Sequence, residues 1–407
     1  MSKRMTGILL SIFALFLTNC SSNPQTKQTT PTPSPSATTP ATSTPQTTSL
    51  TEAVPTATEY PFSKLPGRLA YVDYECNGLC TNLAIIQPDL SDRQILTDHN
   101  HGLAVKPFWS PSGQYIAYIF YVLGEDGGTE IRIYDLAMEE VINLTPQQIE
   151  NTSAISELSW SPDNQYILLV NTKNNESNIQ KIDIQSKEIA NLTTASSYQD
   201  INPAWSPNNT EIVFSSNRPG TAESTSNIWI MDTEGANLVN LTPNDAEGWQ
   251  DLMPSWSPDG EHITFLRHKE ESSRSELWIM DADGKNQELL FEFEGKAREI
   301  PRWSPDGNQI ALIYGNEENT DVIAINWKEN KELILNDSPG LYYGVSWAPH
   351  SQALIFTQKK SEQETTLHIR ILLGDEVYRA DANAPIIDPT WSPVSNLPYL
   401  PKESQEN

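Results

Sequence analysis

Carboxylate side chains recur a few residues ahead of a series of tryptophans, and aromatic residues accompany them. The acids stand three to five residues before the next tryptophan: Glu157, Asp200, Asp251, Glu299 and Asp388. The aromatic residues in the same segments are Tyr198, Trp249, Tyr342 and Tyr343. Acids surrounded by aromatic rings suit a cationic peptide segment, a sugar or a cation. We therefore predict that these residues form a binding rim.

Two other interpretations of the acids stay open at this stage. In the first, they accept hydrogen bonds from backbone amides and the aromatic rings pack between repeats, because repeated positions in a repeat fold are usually structural. In the second, two of the acids work as a pair in a carbohydrate-active enzyme, which needs two carboxylates at a defined separation.

The tryptophans belong to a repeated motif. Trp-Ser-Pro-Asp-Gly occurs unchanged at Trp256–Gly260 and Trp303–Gly307, and related versions begin at Trp109, Trp160, Trp205, Trp347 and Trp391. Successive tryptophans are 51, 45, 51, 47, 44 and 44 residues apart. A period near 45 residues that contains only strand-like segments is typical of the blades of a β-propeller.

The local chemistry of the motif supports four strands in each repeat. Pro, Asp and Gly favour a tight turn, which joins a strand ending at Trp256 to a strand near Ile263. A third strand follows at Leu277–Asp281 and a fourth at Glu288–Phe291. We name these strands A to D and expect strand A to be innermost, with its tryptophan packed between neighbouring sheets.

The complete phrase resembles the repeat of TolB-type β-propellers. It consists of Trp-Ser-Pro-Asp-Gly, a strand, Ile-Trp-Ile-Met-Asp at Ile228–Asp232, a glycine and then Leu241-Thr242. The resemblance extends over nearly all of residues 65–395. It implies an extracytoplasmic protein and does not imply catalysis.

The two ends of the repeat region complement each other. Residues 69–97 supply strands B, C and D with no Trp-Ser-Pro strand before them, and Ile386–Ser392 supplies a strand A with almost nothing after it. Pairing these pieces closes the ring and removes an exposed edge. The sequence therefore predicts an all-β, seven-bladed propeller, although six blades are common in the family that it resembles.

The amino-terminal residues have the pattern of a targeting segment. Lys3 and Arg4 precede an apolar run from Ile8 to Leu17, and the segment ends at Cys20. This arrangement resembles a bacterial lipoprotein signal, which implies a lipid on Cys20; an ordinary signal peptide is the alternative. Residues 20–61 are rich in Thr, Pro and Ser, and we predict a disordered tether.

Charge and cysteine content restrict the partners. The chain carries a formal charge of −27, which argues against nucleic acid and against broad adhesion to anionic membranes. Outside the cytoplasm, Cys76 and Cys80 are most simply a disulfide that closes a hairpin loop. Two further ligands for zinc are missing nearby, so we predict no metal site and no cofactor.

Together these observations predict four segments and one function. The segments are a signal peptide at 1–19, a tether at 20–61, a propeller at 62–395 and a polar tail at 396–407. A Gly-x-Ser-x-Gly hydrolase motif is absent, so we expect no catalytic residues. We expect a monomeric cell-envelope lipoprotein, held at the membrane only by its lipid, that binds an envelope protein, peptide or glycan.

Overall fold

The computed structural model describes most of the propeller region, and all of its regular elements are β-strands. The described residues are 65–73, 80–99, 102–124, 127–145, 154–174, 176–194, 198–218, 226–243, 248–269, 272–361, 365–373, 376–383 and 386–394. Within these ranges the chain forms seven sheets and no α-helix. The all-β prediction is confirmed.

Each sheet is one antiparallel blade, and its strands follow one another in the order A to D. Blade 1 contains β1 (Leu69–Asp73), β2 (Asn82–Ile86) and β3 (Gln94–Ile95), to which β29 (Ile386–Trp391) adds strand A. Blade 2 contains β4 (Gly102–Trp109), β5 (Tyr115–Val122), β6 (Thr129–Asp135) and β7 (Glu140–Asn143). Blade 3 contains β8 (Ala154–Trp160), β9 (Tyr166–Lys173), β10 (Glu176–Asp183) and β11 (Ile189–Asn191).

The remaining blades repeat this arrangement. Blade 4 contains β12 (Asp200–Trp205), β13 (Glu211–Ser216), β14 (Asn227–Asp232) and β15 (Val239–Asn240). Blade 5 contains β16 (Trp249–Trp256), β17 (His262–Lys269), β18 (Arg274–Asp281) and β19 (Glu288–Glu294). In blade 6, strand A is interrupted into β20 (Lys296–Ala297) and β21 (Arg302–Trp303), before β22 (Gln309–Gly315), β23 (Thr320–Asn326) and β24 (Lys331–Ile334). Blade 7 contains β25 (Leu341–Trp347), β26 (Ala353–Lys359), β27 (Thr365–Leu373) and β28 (Glu376–Asn383).

The blades form a ring with strand A on the inside. Strand β29 contacts both β25 of blade 7 and β4 of blade 2, and β12 likewise contacts β8 and β16. Only the innermost strands of a propeller lie next to one another in this way. The end of the ring at which strands A begin is called the mouth end below, and the end that carries the Trp-Ser-Pro turns is called the turn end.

The carboxyl-terminal strand closes the ring, as the sequence predicts. Strand β29 pairs antiparallel with β1, with Trp391 opposite Leu69. The Ser392 N–H donates to the Arg68 carbonyl at 2.9 Å, and the Arg68 N–H donates to Ser392 Oγ at 3.0 Å. Ser110 and Tyr115 make the same two bonds inside the continuous blade 2. The seven-blade prediction is therefore confirmed.

The motif tryptophans are packing residues that connect neighbouring blades. All seven lie within 3–9% exposure. The indole N–H of Trp160 donates to the Phe108 carbonyl of blade 2 at 3.2 Å, and that of Trp109 donates to the Thr390 carbonyl at 3.1 Å. The second of these bonds involves β29, so the carboxyl-terminal strand is joined to blade 2 by the same bond that Trp160, Trp303 and Trp347 make between their blades.

The Leu-Thr pairs at the ends of several strands D have a related role. The Thr145 hydroxyl accepts the Ile131 N–H at 2.9 Å, and the Thr193 hydroxyl accepts the Ile179 N–H at 2.9 Å. Strand C extends beyond the end of strand D, and the threonine hydroxyl accepts the backbone N–H that strand D leaves unpaired. The motif therefore terminates strand D without an orphaned amide.

Several predictions concern residues outside the described ranges. They are the signal peptide with Cys20, the tether and the tail at 396–407. Cys80 is buried and disulfide-bonded, while its predicted partner Cys76 lies outside the described ranges. The described part of the chain contains no helix that is long and apolar enough to cross a membrane.

Candidate functional site

The mouth-end half of strand A is irregular in most blades. Its register shifts between the residues that stand four and one before the tryptophan, as between Val105 and Phe108 in blade 2. Three residues before the tryptophan, the backbone takes positive φ in five blades, at Lys106 (51°), Asn202 (54°), Met253 (56°), Gly344 (70°) and Asp388 (48°). Four of these five residues are not glycine, so the backbone carries strain there. A bulge of this kind changes the direction in which a side chain points.

Charged side chains from several blades meet at the centre of the ring. Lys106 of blade 2 interacts electrostatically with Glu157 of blade 3, Asp388 of blade 1, and Glu299 and Arg302 of blade 6. Groups from such widely separated blades can approach one another only in the central channel. This set of five residues is called the channel cluster below.

The channel is lined with smaller side chains closer to the turn end. The residue immediately before each tryptophan points away from the indole, because side chains alternate along a strand. In five of the seven blades this residue is small: Ser159, Ala204, Ser255, Ser346 and Thr390. Each of them is half-buried, as expected for a position that lines a water-accessible channel. These five small residues therefore leave the inner surface of the ring partly accessible to solvent on the turn-end side of the channel cluster.

Each carboxylate of the channel cluster accepts a backbone N–H from the next blade. Glu157 accepts the Asn202 N–H at 2.5 Å and the Asn202 side-chain amide at 2.7 Å. Glu299 accepts the Gly344 N–H at 2.5 Å, and Asp388 accepts the Lys106 N–H. The bulged backbone exposes these amides, and the carboxylates satisfy them. These three acids therefore make the backbone contacts that the structural interpretation describes.

Burial shifts the protonation equilibria of the same groups. Loss of solvent raises the pKa of Glu157, Glu299 and Asp388, and the positive charge of Lys106 or Arg302 partly opposes this rise. Loss of solvent likewise lowers the pKa of Lys106, opposed by the three carboxylates. Clusters of mutually perturbed charges in a cleft are typical of functional sites, although structural networks can produce them as well.

Asp200 and Asp251 do not present free carboxylates at the mouth. Asp200 is fully buried and receives the Arg218 guanidinium at 2.6 and 3.1 Å. Asp251 receives the guanidinium of Arg267 at 2.7 and 2.9 Å and is 1% exposed. These two-point ion pairs hold strand A to the loop or strand that follows it on the mouth end.

The predicted aromatic residues lie in different environments. Tyr342 is completely buried in the core, where its hydroxyl donates to the Ser338 carbonyl at 2.7 Å. Tyr343 is half-buried beside Glu299, and burial raises the pKa of its hydroxyl. Tyr198 and Trp249 are half-buried where the chain leads into β12 and β16. Of the predicted rim, the structure therefore brings Glu157, Glu299 and Asp388 together and places Tyr343 beside them.

Two cationic members of the site are absent from the sequence-based prediction. Lys106 occupies the position three residues before Trp109, which Glu157 and Asp388 occupy in their own blades. Arg302 directly precedes Trp303. The sequence contains a signal for Lys106, because this residue stands at the distance from its tryptophan that carries acids in other blades. A search restricted to acidic residues does not find it.

Metal-ligating residues are not grouped in the part of the chain that the structure describes. Within those ranges, no three His, Cys, Asp or Glu side chains are arranged as a metal site would require.

Comparison with known families agrees with the fold and the repeat. The TolB beta propeller domain family matches residues 62–247 and 221–395, which together make up most of the chain. The chain belongs to this family. The resemblance in the repeat motif is thereby confirmed for the propeller region.

Individual relatives match shorter stretches. The Tol-Pal system protein TolB of Rhizorhabdus wittichii is 41% identical over 61 residues, and that of Zymomonas mobilis is 42% identical over 60 residues. Each match covers 15% of this chain, and the chain spans only 13% and 12% of the two relatives. A solved oligogalacturonate lyase in complex with manganese has 14% identity and a TM-score of 0.61, covering 76% of this chain and 86% of the lyase. At that identity the likeness concerns the fold alone.

Proposed function

We propose that this protein is an extracytoplasmic scaffold that binds an envelope protein through the mouth end of its propeller. The observation that carries the proposal is the channel cluster. It brings charge from four blades together at the centre of the ring, and the closed ring holds these groups in place. A rigid, polar site of this kind favours recognition, because little ordering is needed when a partner binds.

The chemistry of the cluster favours binding over catalysis. Each of its carboxylates already accepts a backbone N–H, and both oxygens of Glu157 are engaged by Asn202. A glycosidase pair needs one carboxyl group free to donate a proton and another free to act as a base or nucleophile. Acids that support the backbone of the next blade are poorly suited to both roles.

The partner that fits best carries a cationic segment. The chain has a net charge of −27, so its long-range field attracts cations and steers them to the surface. Within the channel cluster, three carboxylates outnumber Lys106 and Arg302. The names of the matched relatives, which are Tol-Pal system proteins, support a protein partner in the cell envelope.

The amino-terminal segment supports a lipid anchor on Cys20. If the anchor exists, Cys20→Ser should release the protein from the membrane fraction and change its electrophoretic mobility. A variant that fractionates and migrates like the wild type would exclude lipidation. Release of the anchor does not affect the binding proposal, which concerns the propeller alone.

Capture from solubilised envelope extract tests the binding proposal. The wild type should retain a specific protein, and Tyr343→Ala should retain less of it because the ring beside Glu299 is lost. The matched control is Gln185→Leu on an exposed turn at the other end of the ring. Capture should weaken as salt rises, since exposed charges are screened within about 10 Å at 0.1 M.

Two results would overturn the proposal. Identical capture by the wild type and Tyr343→Ala would show that the mouth end is not the binding surface. Hydrolysis of a glycan by the wild type, lost in Glu157→Gln with binding intact, would establish the carbohydrate-active enzyme instead.

A further inference from the structure

A second site lies on blade 3, and none of its lining residues belongs to the channel cluster. A cavity of about 190 Å³ opens at the mouth end of this blade. Its lining is polar and consists of Asn171, Lys173, Asn174, Glu176, Asn178, Gln180 and Asn191. Within the same face of the blade, Ile167, Leu169 and Ile182 pack against blade 2. The face therefore changes from apolar to amide-rich along strand β9.

At the position of this cavity, blade 3 carries amides where blades 2 and 5 carry larger groups. Asn171 stands ten residues after the turn serine Ser161, and the same offset holds Phe120 in blade 2 and Arg267 in blade 5. In blade 2 the Arg132 guanidinium lies 3.7 Å from the centre of the Phe120 ring. In blade 5 the Arg267 guanidinium lies 4.5 Å from the ring of Trp278.

The second strand of the cavity shows the same difference. In blade 3, Gln180 lies two residues beyond the cross-strand partner of Asn171. The same position relative to Phe120 of blade 2 is occupied by Arg132, and relative to Arg267 of blade 5 by Trp278. Stacked side chains thus fill this region in blades 2 and 5. The corresponding amides of blade 3 are too short to do so.

The amides of the cavity are only partly satisfied by one another. Gln180 donates to Asn191 Oδ1 at 2.7 Å, and Asn171 donates to Gln180 Oε1 at 3.4 Å. The side-chain oxygens of Asn171 and Asn178 are buried and have no hydrogen-bond partner among the described residues. A buried acceptor without a donor is costly, so such groups in native proteins usually meet a ligand or an ordered water.

We propose that this cavity binds a single neutral sugar unit. Sugar hydroxyls donate and accept hydrogen bonds, so they can supply the donors that Asn171 and Asn178 lack and the acceptors that the amide groups need. The cavity is smaller than the roughly 300–1,000 Å³ of sites for drug-sized molecules, which suits one small ring.

The charges at the opening favour a neutral ligand. Lys173 and Glu176 face each other in register across β9 and β10, so an anion meets Glu176 and a cation meets Lys173. An apolar ligand would leave the buried oxygens unsatisfied. This inference does not depend on the proposed function of the mouth, because none of the lining residues belongs to the channel cluster.

Isothermal titration of the purified full-length protein with glucose, galactose and N-acetylglucosamine tests the proposal, with glycylglycine as a peptide-amide probe. Saturable binding of at least one sugar is expected. Asn178→Leu removes the buried amide at similar size and should weaken that binding at least about tenfold. Asn171→Phe, which copies blade 2, should fill the cavity and weaken it likewise. The control Gln185→Leu should bind like the wild type.

Three other results would each overturn the proposal. If none of the three sugars binds, or if only glycylglycine binds, the cavity is not a sugar site. If a sugar binds equally well to the wild type and Asn178→Leu, it binds elsewhere on the protein. Thermal unfolding shows whether each variant is folded, and Asn178→Leu decides the question if Asn171→Phe is not.

Discussion

The two halves of each innermost strand differ in regularity. At the turn end, all seven motif tryptophans are buried, and four of their indoles donate to the carbonyl that directly precedes the tryptophan of the neighbouring blade, including the Trp109 indole across the closure at β29. At the mouth end, the equivalent positions carry Lys106, Glu157, Asn202 and Asp388 in different blades, on a bulged backbone. The turn end of strand A is therefore similar in all blades, whereas the mouth end differs from blade to blade.

Under the proposed function, this difference separates stability from recognition within a single strand. Packing at the turn end requires the same side chain in every blade, because each blade meets the same kind of neighbour. The mouth end is free of that requirement, since its side chains face the channel or the loops. Strained backbone and mutually perturbed charges are found there, and both are features that accumulate at functional sites.

Removing the closing strand should have the largest effect on stability. Deleting residues 386–407 removes β29, including Trp391, which donates from its indole to the Pro66 carbonyl at 2.8 Å. Loss of a buried tryptophan alone costs about 3–5 kcal/mol of unfolding free energy, and the deletion also exposes the edge of β1. Thermal unfolding should show a large drop in melting temperature. Deleting residues 396–407 alone is the control, and an unchanged melting temperature in both proteins would exclude this closure.

Breaking an ion pair at the mouth end should rank second. Asp251→Asn leaves Arg267 partly buried without its partner, which costs about 3–5 kcal/mol when an ion pair is fully buried. Urea unfolding should report most of that loss. The exposed pair of Arg274 and Glu292 supplies the control, because Glu292→Gln should change nothing measurable. An unfolding free energy equal to that of the wild type for Asp251→Asn would contradict a stabilising role of this pair.

A moderate effect is expected from the one glycine among the bulge positions. Gly344 has φ of 70°, and a Cβ at this position would lie 3.2 Å from Pro389 Cδ. Gly344→Ala should therefore cost about 1–2 kcal/mol of unfolding free energy. Calorimetric unfolding measures it, with Ala204→Gly in the next layer of the channel as a comparison. If Gly344→Ala is as stable as the wild type, the bulge is not strained.

The pH dependence of stability should show the smallest effect. Burial raises the pKa of Glu157 above its unfolded value of about 4.3, so the folded state keeps this proton when the unfolded chain has lost it. The stability contributed by the group is therefore complete below about pH 4.3 and is lost as the pH rises through the folded pKa. Glu157→Gln does not titrate, so its unfolding free energy should fall less than that of the wild type over this interval. Parallel curves from denaturant titrations at a series of pH values would contradict the shift.

Sequence reasoning predicts the regular half of the molecule well. The tryptophan period and the turn chemistry predict the blades, and the unmatched end pieces predict that Ile386–Trp391 pairs with β1. These signals repeat, so a single chain displays them several times.

The mouth end is less predictable because its contacts are individual. The pairing of Asp251 with Arg267 follows from the register of β16 and β17, in which the two residues are direct neighbours, but composition alone does not reveal it. Tyr342 and Tyr343 are adjacent in sequence and lie on opposite faces of strand β25, so only one can reach the channel. The cavity on blade 3 depends on side chains that are shorter than those of blades 2 and 5, and no sequence motif indicates such a difference.

Site-specific photo-cross-linking tests the central claim most directly. A photoreactive phenylalanine analogue at position 343 probes the mouth end, and the same analogue at position 185 probes the turn end of the ring. Irradiation in intact cells should join position 343 to an envelope protein and leave position 185 unlinked. A partner attached at position 185 but not at 343 would contradict recognition through the mouth end.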